Sequence, residues 1–157
     1  MKRLTVVRHA EAGQSSSDFD RPLTQYGLAQ AVSTATKLKA VINPQYVVVS
    51  PARRTTQTVG EFLKVNGLDE SICVFDKKVY EATVSDLETV IKSIPDDVDD
   101  AVLIGHNPAV SSLVSSWTGL YSGFPVAFAV VVDLNTDSWS KAFDSKAAVV
   151  SKIAPEV

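Results

Sequence analysis

Residues 4–9 read Leu-Thr-Val-Val-Arg-His, and this stretch decides how the chain folds. Its first four residues are uncharged and mostly β-branched, which is typical of a buried strand. Arg8 and His9 follow at once. Two polar side chains directly after a buried strand are poorly placed unless they belong to a site at the strand's end. The stretch therefore predicts both a central strand and a functional position.

Short apolar runs alternate with helical periods over most of the chain. Further strands are predicted at residues 46–49, 72–75 and 101–104. Helices are predicted after the N-cap residues Thr24, Ser50, Ser85 and Asn107, with the first reaching Ile42 and the second ending at Asn66-Gly67. This alternation predicts an α/β fold with three layers, α/β/α, around a mostly parallel central sheet.

The last third of the chain has a β-like pattern. Residues 126–132 predict a strand, residues 135–137 a turn, and residues 139–143 a second strand. Together they predict an antiparallel hairpin at one edge of the sheet. No repeat or low-complexity linker interrupts the sequence, so residues 1–157 are interpreted as a single domain.

The bulk composition excludes several classes of protein. The chain has 157 residues, 45% of them hydrophobic, which is enough to bury a core without disulfides or metals. The net charge of -3 gives no electrostatic case for nucleic-acid binding. The apolar run after Met1 is too short for a signal peptide and no stretch can span a bilayer, so we expect a cytoplasmic protein. The single cysteine, Cys73, is expected to be a buried structural thiol.

Three basic side chains follow three predicted strands. The chain's two histidines, His9 and His106, come after the first and the fourth, and Arg54 opens the helix after the second. In open α/β sheets the carboxyl ends of the strands form the rim where ligands bind. Two of these segments also open helices, whose free N–H groups favour an anion. The pattern therefore predicts a phosphate site.

Each of these residues also has a simpler interpretation. A single histidine is often a hydrogen-bonded structural residue, and Arg53 and Arg54 fit an exposed helix surface. Two histidines that lie close together could also be part of a zinc site, but the sequence has no third strong ligand at a spacing typical of metal sites. We therefore predict a site without metal or cofactor.

Four motifs resemble those of the histidine phosphatase (phosphoglycerate-mutase-like) superfamily, in that family's order. Residues 7–11, Val-Arg-His-Ala-Glu, resemble its Arg-His-Gly motif, and residues 21–24 with Gly27 resemble its Pro-Leu-Thr-x-x-Gly helix start. Residues 50–58 resemble its Ser-x-x-x-Arg-x-x-Gln-Thr motif, which selects Arg54 rather than Arg53. Residues 105–107, Gly-His-Asn, resemble the second histidine motif. The small size and the Arg-Pro-Leu-Thr form are most similar to bacterial SixA-type phosphohistidine phosphatases.

The resemblance implies a covalent mechanism and a set of site residues. His9 would attack phosphorus, while Arg8, Arg54 and a protonated His106 would neutralise the phosphoryl oxygens. The family's acid/base carboxylate lies between the last two motifs, so Glu81 is the candidate proton donor; a surface glutamate is the alternative.

Arg21 is a candidate substrate-binding residue, with a loop salt bridge as its alternative. The sequence also departs from the family pattern in places. Ala10 replaces the usual glycine, and the asparagine found after the first motif in the mutase branch is absent. Gln14 or Ser15 to Ser17 are the candidates to replace that asparagine.

Three functions follow, from two classes of protein. The first is a phosphatase acting on phosphohistidine in phosphotransfer proteins. It is favoured because only about forty residues separate the helix of Arg54 from the strand before His106, which leaves no room for a large lid over the pocket. An open pocket can admit a phosphohistidine on a protein surface. The second is a phosphomonoesterase for a small metabolite. The third is a non-catalytic phosphate-binding or phosphoprotein-binding module, against which the intact arginine and histidine set argues.

Overall fold

The structure, a computed structural model, describes residues 1–121 and 123–157. A six-stranded sheet is covered by two pairs of helices. The strands are β1 (Lys2–Arg8), β2 (Tyr46–Val49), β3 (Cys73–Phe75), β4 (Asp100–Gly105), β5 (Ala129–Leu134) and β6 (Ala148–Ile153). The helices are α1 (Gln25–Leu38), α2 (Arg53–Asn66), α3 (Val84–Lys92) and α4 (Ala109–Thr118).

The strand order across the sheet is β3-β2-β4-β1-β5-β6. The first four strands are parallel to one another, and β5 runs antiparallel to both β1 and β6. The predicted fold class, mostly parallel with an antiparallel edge, is confirmed.

The central strands are apolar on both faces because both faces are covered. One face packs Leu4 and Val6 with residues of α3 and α4, and the other packs Val7 with residues of α1 and α2. A parallel sheet buried on both sides produces continuous apolar runs rather than alternation. The run at residues 4–7 is therefore explained by its place in the centre of the sheet.

The predicted C-terminal hairpin is wrong in its second strand. Residues 139–143 do not form a strand; Trp139–Lys141 is a 3-10 helix, and β6 is the strand that pairs with β5. Trp139 and Ala142 are the buried residues here, a helical spacing of three rather than a strand spacing of two. The strand β6 is mostly exposed, so it carries little hydrophobic pattern.

Four predictions about helix ends have different outcomes. Thr24 caps α1, accepting a hydrogen bond from the Gly27 N–H, and Gly67 ends α2 in the left-handed conformation, as predicted. The prediction that Ser85 caps α3 is wrong, because Thr83 is the cap. Thr83 and Asp86 form a reciprocal capping box, which satisfies two free N–H groups where Ser85 would satisfy one. Helix α1 stops at Leu38, before Ile42.

Cys73 is half-buried rather than buried, because β3 is an edge strand of the sheet. Burial and the nearby Glu70 carboxylate raise the pKa of its thiol to about 11, so it is not a reactive thiolate.

Membrane-spanning helices are absent from residues 1–121 and 123–157, since none of the helices there is long and apolar enough to cross a membrane.

Gly27 determines how the start of α1 packs on the loop after His9. A Cβ at this position would lie 2.1 Å from the Glu11 carbonyl oxygen. We therefore expect Gly27→Ala to lower the free energy of unfolding by about 1–3 kcal/mol, because backbone must move to relieve the contact. Urea unfolding of the purified protein measures this change.

Gly60 is the matched control, since it is also in a helix but has open space around its Cβ position. There alanine should stabilise the protein by about 1 kcal/mol through helix propensity. If Gly27→Ala were as stabilising as Gly60→Ala, the close approach of α1 to Glu11 would be disproved.

Candidate active site

The pairing of β1 with β4 brings the two histidines together. Arg8 is paired with Gly105 at the carboxyl ends of these parallel strands, so His9 and His106 are the next residues on each. Their ring centroids lie 5.3 Å apart. The two histidines therefore lie at the carboxyl ends of the central strands, where the site was predicted.

A cleft of about 540 Å³ opens at this edge. All six residues predicted for the site line it. They are Arg8, His9, Arg21, Arg54, Glu81 and His106, and the other lining residues are Glu11, Ala12, Asp18, Tyr80, Asn107, Pro108 and Val126. The structure thus brings together predicted side chains from five separate segments of the chain. Gln14 and Ser15–Ser17 are exposed and outside this lining, so they do not replace the family asparagine.

His9 is held in one orientation and one tautomer. Its Nδ1 lies 2.7 Å from the Ala10 carbonyl oxygen, which can only accept, so Nδ1 carries the hydrogen. In the neutral ring the lone pair is then on Nε2. Burial, with repulsion from Arg54, Arg8 and Arg21, lowers the pKa of His9 to about 4 against the opposing effect of the Ala10 bond. At neutral pH His9 is an uncharged imidazole with a free lone pair.

His106 is also uncharged at neutral pH. Burial and the charge of Arg54 lower its pKa to about 3. Its Nε2 lies 2.8 Å from the Ser50 Oγ. The prediction that Ser50 caps α2 is wrong: the cap position is Ala52, and Ser50 orients His106 instead.

The two arginines are buried to different degrees but anchored in the same way. Arg8 Nη1 donates to the Phe124 carbonyl oxygen over 3.1 Å, and Arg54 Nη1 donates to the Asp18 carbonyl oxygen over 2.7 Å. The Nε atoms of both, and Nδ1 of His106, are buried and have no hydrogen-bond partner within residues 1–121 and 123–157. Each guanidinium is therefore held through its terminal nitrogens rather than through Nε.

Asn107 is not the cap of α4 as predicted, since Pro108 holds that position without a side-chain bond. Its Nδ2 donates instead to the Phe124 carbonyl oxygen over 2.9 Å, which is the same oxygen that anchors Arg8. One carbonyl therefore holds residues from both sides of the cleft.

Glu81 and Arg21 stand at the mouth of the cleft. Glu81 is exposed and has a positive φ of 52°, a conformation that costs a non-glycine residue about 1 kcal/mol or more. Such strain is found where the surrounding structure imposes a side-chain position. Arg21 lines the cleft but also donates to the Gly13 carbonyl oxygen and to Asp18 Oδ1, so both of its predicted interpretations have a structural basis.

Sequence analysis missed Asp18 and Tyr80. Tyr80 donates from its hydroxyl to Asp18 Oδ2 over 2.8 Å, and its ring lies edge-on to His106 with centroids 5.6 Å apart. Neither residue follows a strand or belongs to a quoted motif. Their only signal is proximity in sequence to Arg21 and Glu81, which does not distinguish them from other loop residues.

The cleft suits a tetrahedral oxyanion. Arg8, Arg21 and Arg54 line the cleft together with His9. Burial, followed by the charge of Arg54, lowers the pKa of Arg8. Within the described ranges, no group of three or more His, Cys, Asp or Glu residues is placed to hold a metal ion. The chemistry available from these side chains is nucleophilic attack supported by positive charge.

The sequence matches the model of a known protein family. A family model of the histidine phosphatase superfamily (branch 1) matches residues 4–97. Among proteins with curated functions, none matches the sequence significantly.

Several solved structures share the whole fold. SixA of Nakamurella multipartitia, named as a phosphohistidine phosphatase, is 23% identical with a TM-score of 0.86, over 99% of this chain and 97% of that one. A SixA of Agrobacterium tumefaciens with the same name is 26% identical with a TM-score of 0.82, over 98% of each chain. The protein histidine phosphatase SixA complexed with tungstate is 22% identical with a TM-score of 0.84, over 98% of this chain and 97% of that one.

The family model covers more than half of the sequence and includes the segments of Arg8, His9 and Arg54. The chain therefore belongs to the histidine phosphatase superfamily (branch 1) and is a phosphatase.

Proposed function

We propose that this protein removes phosphoryl groups from phosphohistidine side chains of other proteins through a covalent intermediate on His9. One observation carries the proposal. The Ala10 carbonyl holds the hydrogen of His9 on Nδ1, which leaves Nε2 as a nucleophile in a cleft lined by arginines. A site that only bound phosphate would not need a neutral imidazole in this orientation.

In the first step the lone pair of His9 Nε2 forms a bond to phosphorus. The bond from phosphorus to the substrate's imidazole nitrogen breaks, and that nitrogen takes a proton. In the second step water attacks phosphorus and loses a proton, the bond to Nε2 breaks, and inorganic phosphate leaves. Glu81 is suited to give the first proton and take the second, because it lies at the mouth of the cleft, on the route of both leaving group and water.

The cationic side chains stabilise the transferring phosphoryl group. Arg8 and Arg54 provide fixed positive charge, with donors that are already oriented and that cost no reorganisation during the reaction. His106 adds a ring nitrogen beside them. Burial and the charge of Arg54 hold its pKa at about 3. A phosphoryl dianion among these groups would raise that pKa, which is how the predicted protonated form of His106 would arise.

The protein substrate is supported by two observations. The cleft opens at the surface, and the chain between α2 and β4 is used by β3, α3 and short turns rather than by a cover. Solved structures that share this fold include proteins named as phosphohistidine phosphatases, and one named as a protein histidine phosphatase is in complex with tungstate, a tetrahedral oxyanion. Phosphohistidine on a protein surface could reach such a cleft.

The nucleophile is tested by His9→Ala on two kinds of substrate. We expect the native protein to release phosphate from a phosphohistidine-bearing phosphotransfer domain faster than from a panel of small phosphate esters. His9→Ala should lower kcat by roughly a thousandfold or more, because the covalent route is lost. Treatment with a chelator should leave the native rate unchanged, since Arg8 and Arg54 supply the positive charge.

Arg53→Ala is the matched control for this experiment, because Arg53 is exposed and next to Arg54 yet outside the cleft lining. Equal release by native protein and His9→Ala would disprove the nucleophile. Release from esters alone would establish the phosphomonoesterase, and phosphate binding without release from any substrate would establish the binding module.

The charge state of His9 is tested by its titration. Its pKa of about 4 predicts that the imidazole C–H resonances of both histidines stay constant between pH 8 and 5.5. An ordinary histidine, with a pKa near 6.5, would be mostly protonated by pH 5.5. The reaction rate should fall as pH drops through about 4, since protonation occupies the Nε2 lone pair. The chain has two histidines, so His9→Gln assigns both signals; a midpoint near 6.5 would contradict the expectation.

Glu81 is tested by separating its chemistry from its backbone strain. Both Glu81→Gln and Glu81→Gly should lower kcat by about 100-fold or more, because each removes the proton carrier. Glu81→Gly should at the same time leave stability unchanged or higher by about 1 kcal/mol, because glycine adopts a φ of 52° without strain. Glu70→Gln, outside the cleft, is the control for glutamate loss. Full activity of Glu81→Gln would remove Glu81 from the mechanism.

A further inference from the structure

We infer that Asp18 is a positioning residue that fixes the guanidinium of Arg54 for phosphoryl transfer and connects it to Tyr80. The inference rests on the proposed function, since it concerns how one of the phosphoryl-binding cations is held. It adds a residue that does not itself contact the phosphoryl group.

Arg54 depends on Asp18 for its orientation. The side chain of Arg54 is 8% exposed. Within the described part of the chain, both hydrogen bonds of its guanidinium end on Asp18: Nη1 donates to the backbone oxygen over 2.7 Å, and Nη2 to Oδ2 over 3.1 Å. A buried guanidinium needs both a counter-charge and fixed acceptors, and one residue supplies both.

Asp18 is itself held from several sides. Its Oδ2 accepts from the Tyr80 hydroxyl over 2.8 Å, and Arg21 Nη1 donates to its Oδ1 over 3.4 Å. Its backbone oxygen also accepts from the Arg21 N–H. The Tyr80 hydroxyl, followed by Arg54 and Arg21, lowers the pKa of Asp18 to about 2, so the carboxylate is charged at neutral pH.

Tyr80 extends this support to the second histidine. Its ring lies edge-on to both Phe19 and His106, with centroids 5.2 Å and 5.6 Å away. The hydroxyl bond to Asp18 fixes the ring, and the ring packs against His106. Asp18 therefore joins a loop after β1, helix α2 and the segment before α3 around the same cleft.

The negative charge of Asp18 allows a positioning role to be distinguished from simple competition with substrate for Arg54. A carboxylate at the cleft repels a phosphate dianion, so it weakens phosphate binding by its charge. A residue that positions Arg54 should nevertheless be needed for turnover. Asp18→Asn is thus expected to lower kcat by about tenfold or more while phosphate binds roughly two- to fivefold more tightly. A residue that only competed with substrate for Arg54 would give tighter binding with kcat unchanged or raised.

The experiment compares Asp18→Asn, Tyr80→Phe, the double variant and Asp20→Asn. Asp20 is the matched control, because it is in the same turn and bonds to Ser17 rather than to Arg54. If the Tyr80 hydroxyl acts through Asp18, the double variant should lose no more kcat than Asp18→Asn alone. Additive losses would overturn the connection between the two residues, and unchanged kcat in Asp18→Asn would overturn the positioning role.

A readout that does not depend on turnover separates this inference from the proposed function. The buried Nε–H of Arg54, assigned with Arg54→Lys, should give a distinct and slowly exchanging signal in a ¹H–¹⁵N spectrum. The signal should shift and exchange faster in Asp18→Asn, which loses the counter-charge of Arg54 but keeps the backbone acceptor, and it should be unchanged in Asp20→Asn. If the native protein released no phosphate but this pattern held, the proposed function would fail and the positioning role would stand. A signal unchanged in Asp18→Asn would disprove the positioning role whatever the substrate.

Discussion

The parallel register between β1 and β4 is the constraint on which the site depends. Arg8 faces Gly105 in that register, so the next residue on each strand is a histidine, and the two rings meet 5.3 Å apart. The His9 N–H also donates to the Gly105 carbonyl oxygen, which extends the ladder by one residue into the site. A slip of one residue would turn each strand's side chains to the opposite face and separate the histidines.

Arginines supply the positive charge of the site, and the two histidines beside them are uncharged. Burial and the neighbouring arginines hold the pKa of His9 and His106 well below the ordinary histidine value. The same field that prepares the cleft for an oxyanion therefore keeps His9 unprotonated, which is the form that can attack phosphorus. Asp18 is one of three carboxylates in the lining, with Glu11 and Glu81, and it is engaged by Tyr80, Arg54 and Arg21.

Local sequence patterns predicted the elements better than their ends. Thr24 and Gly67 were recognised correctly because each satisfies free backbone groups of its own helix. Ser50 and Asn107 have cap-like positions before proline, yet their side chains bond to His106 and to the Phe124 carbonyl oxygen instead. The second strand of the hairpin was misplaced because Trp139 is buried by tertiary packing, with its indole N–H bonded to Val98, while β6 lies exposed at an edge.

The sequence by itself determined the α/β class, the strand ends that carry Arg8, His9 and His106, and the choice of Arg54. Each of these follows from contiguous residues, since strand pattern and motif spacing are local properties. Only the tertiary structure decided the tautomer of His9, the strain at Glu81 and the engagement of Arg54 by Asp18. Asp18 and Arg54 are separated by 36 positions, and no local pattern specifies which acceptor a buried guanidinium will meet. Contacts between residues so far apart in sequence depend on how the strands and helices pack, whereas local patterns determine only which segments form those strands and helices.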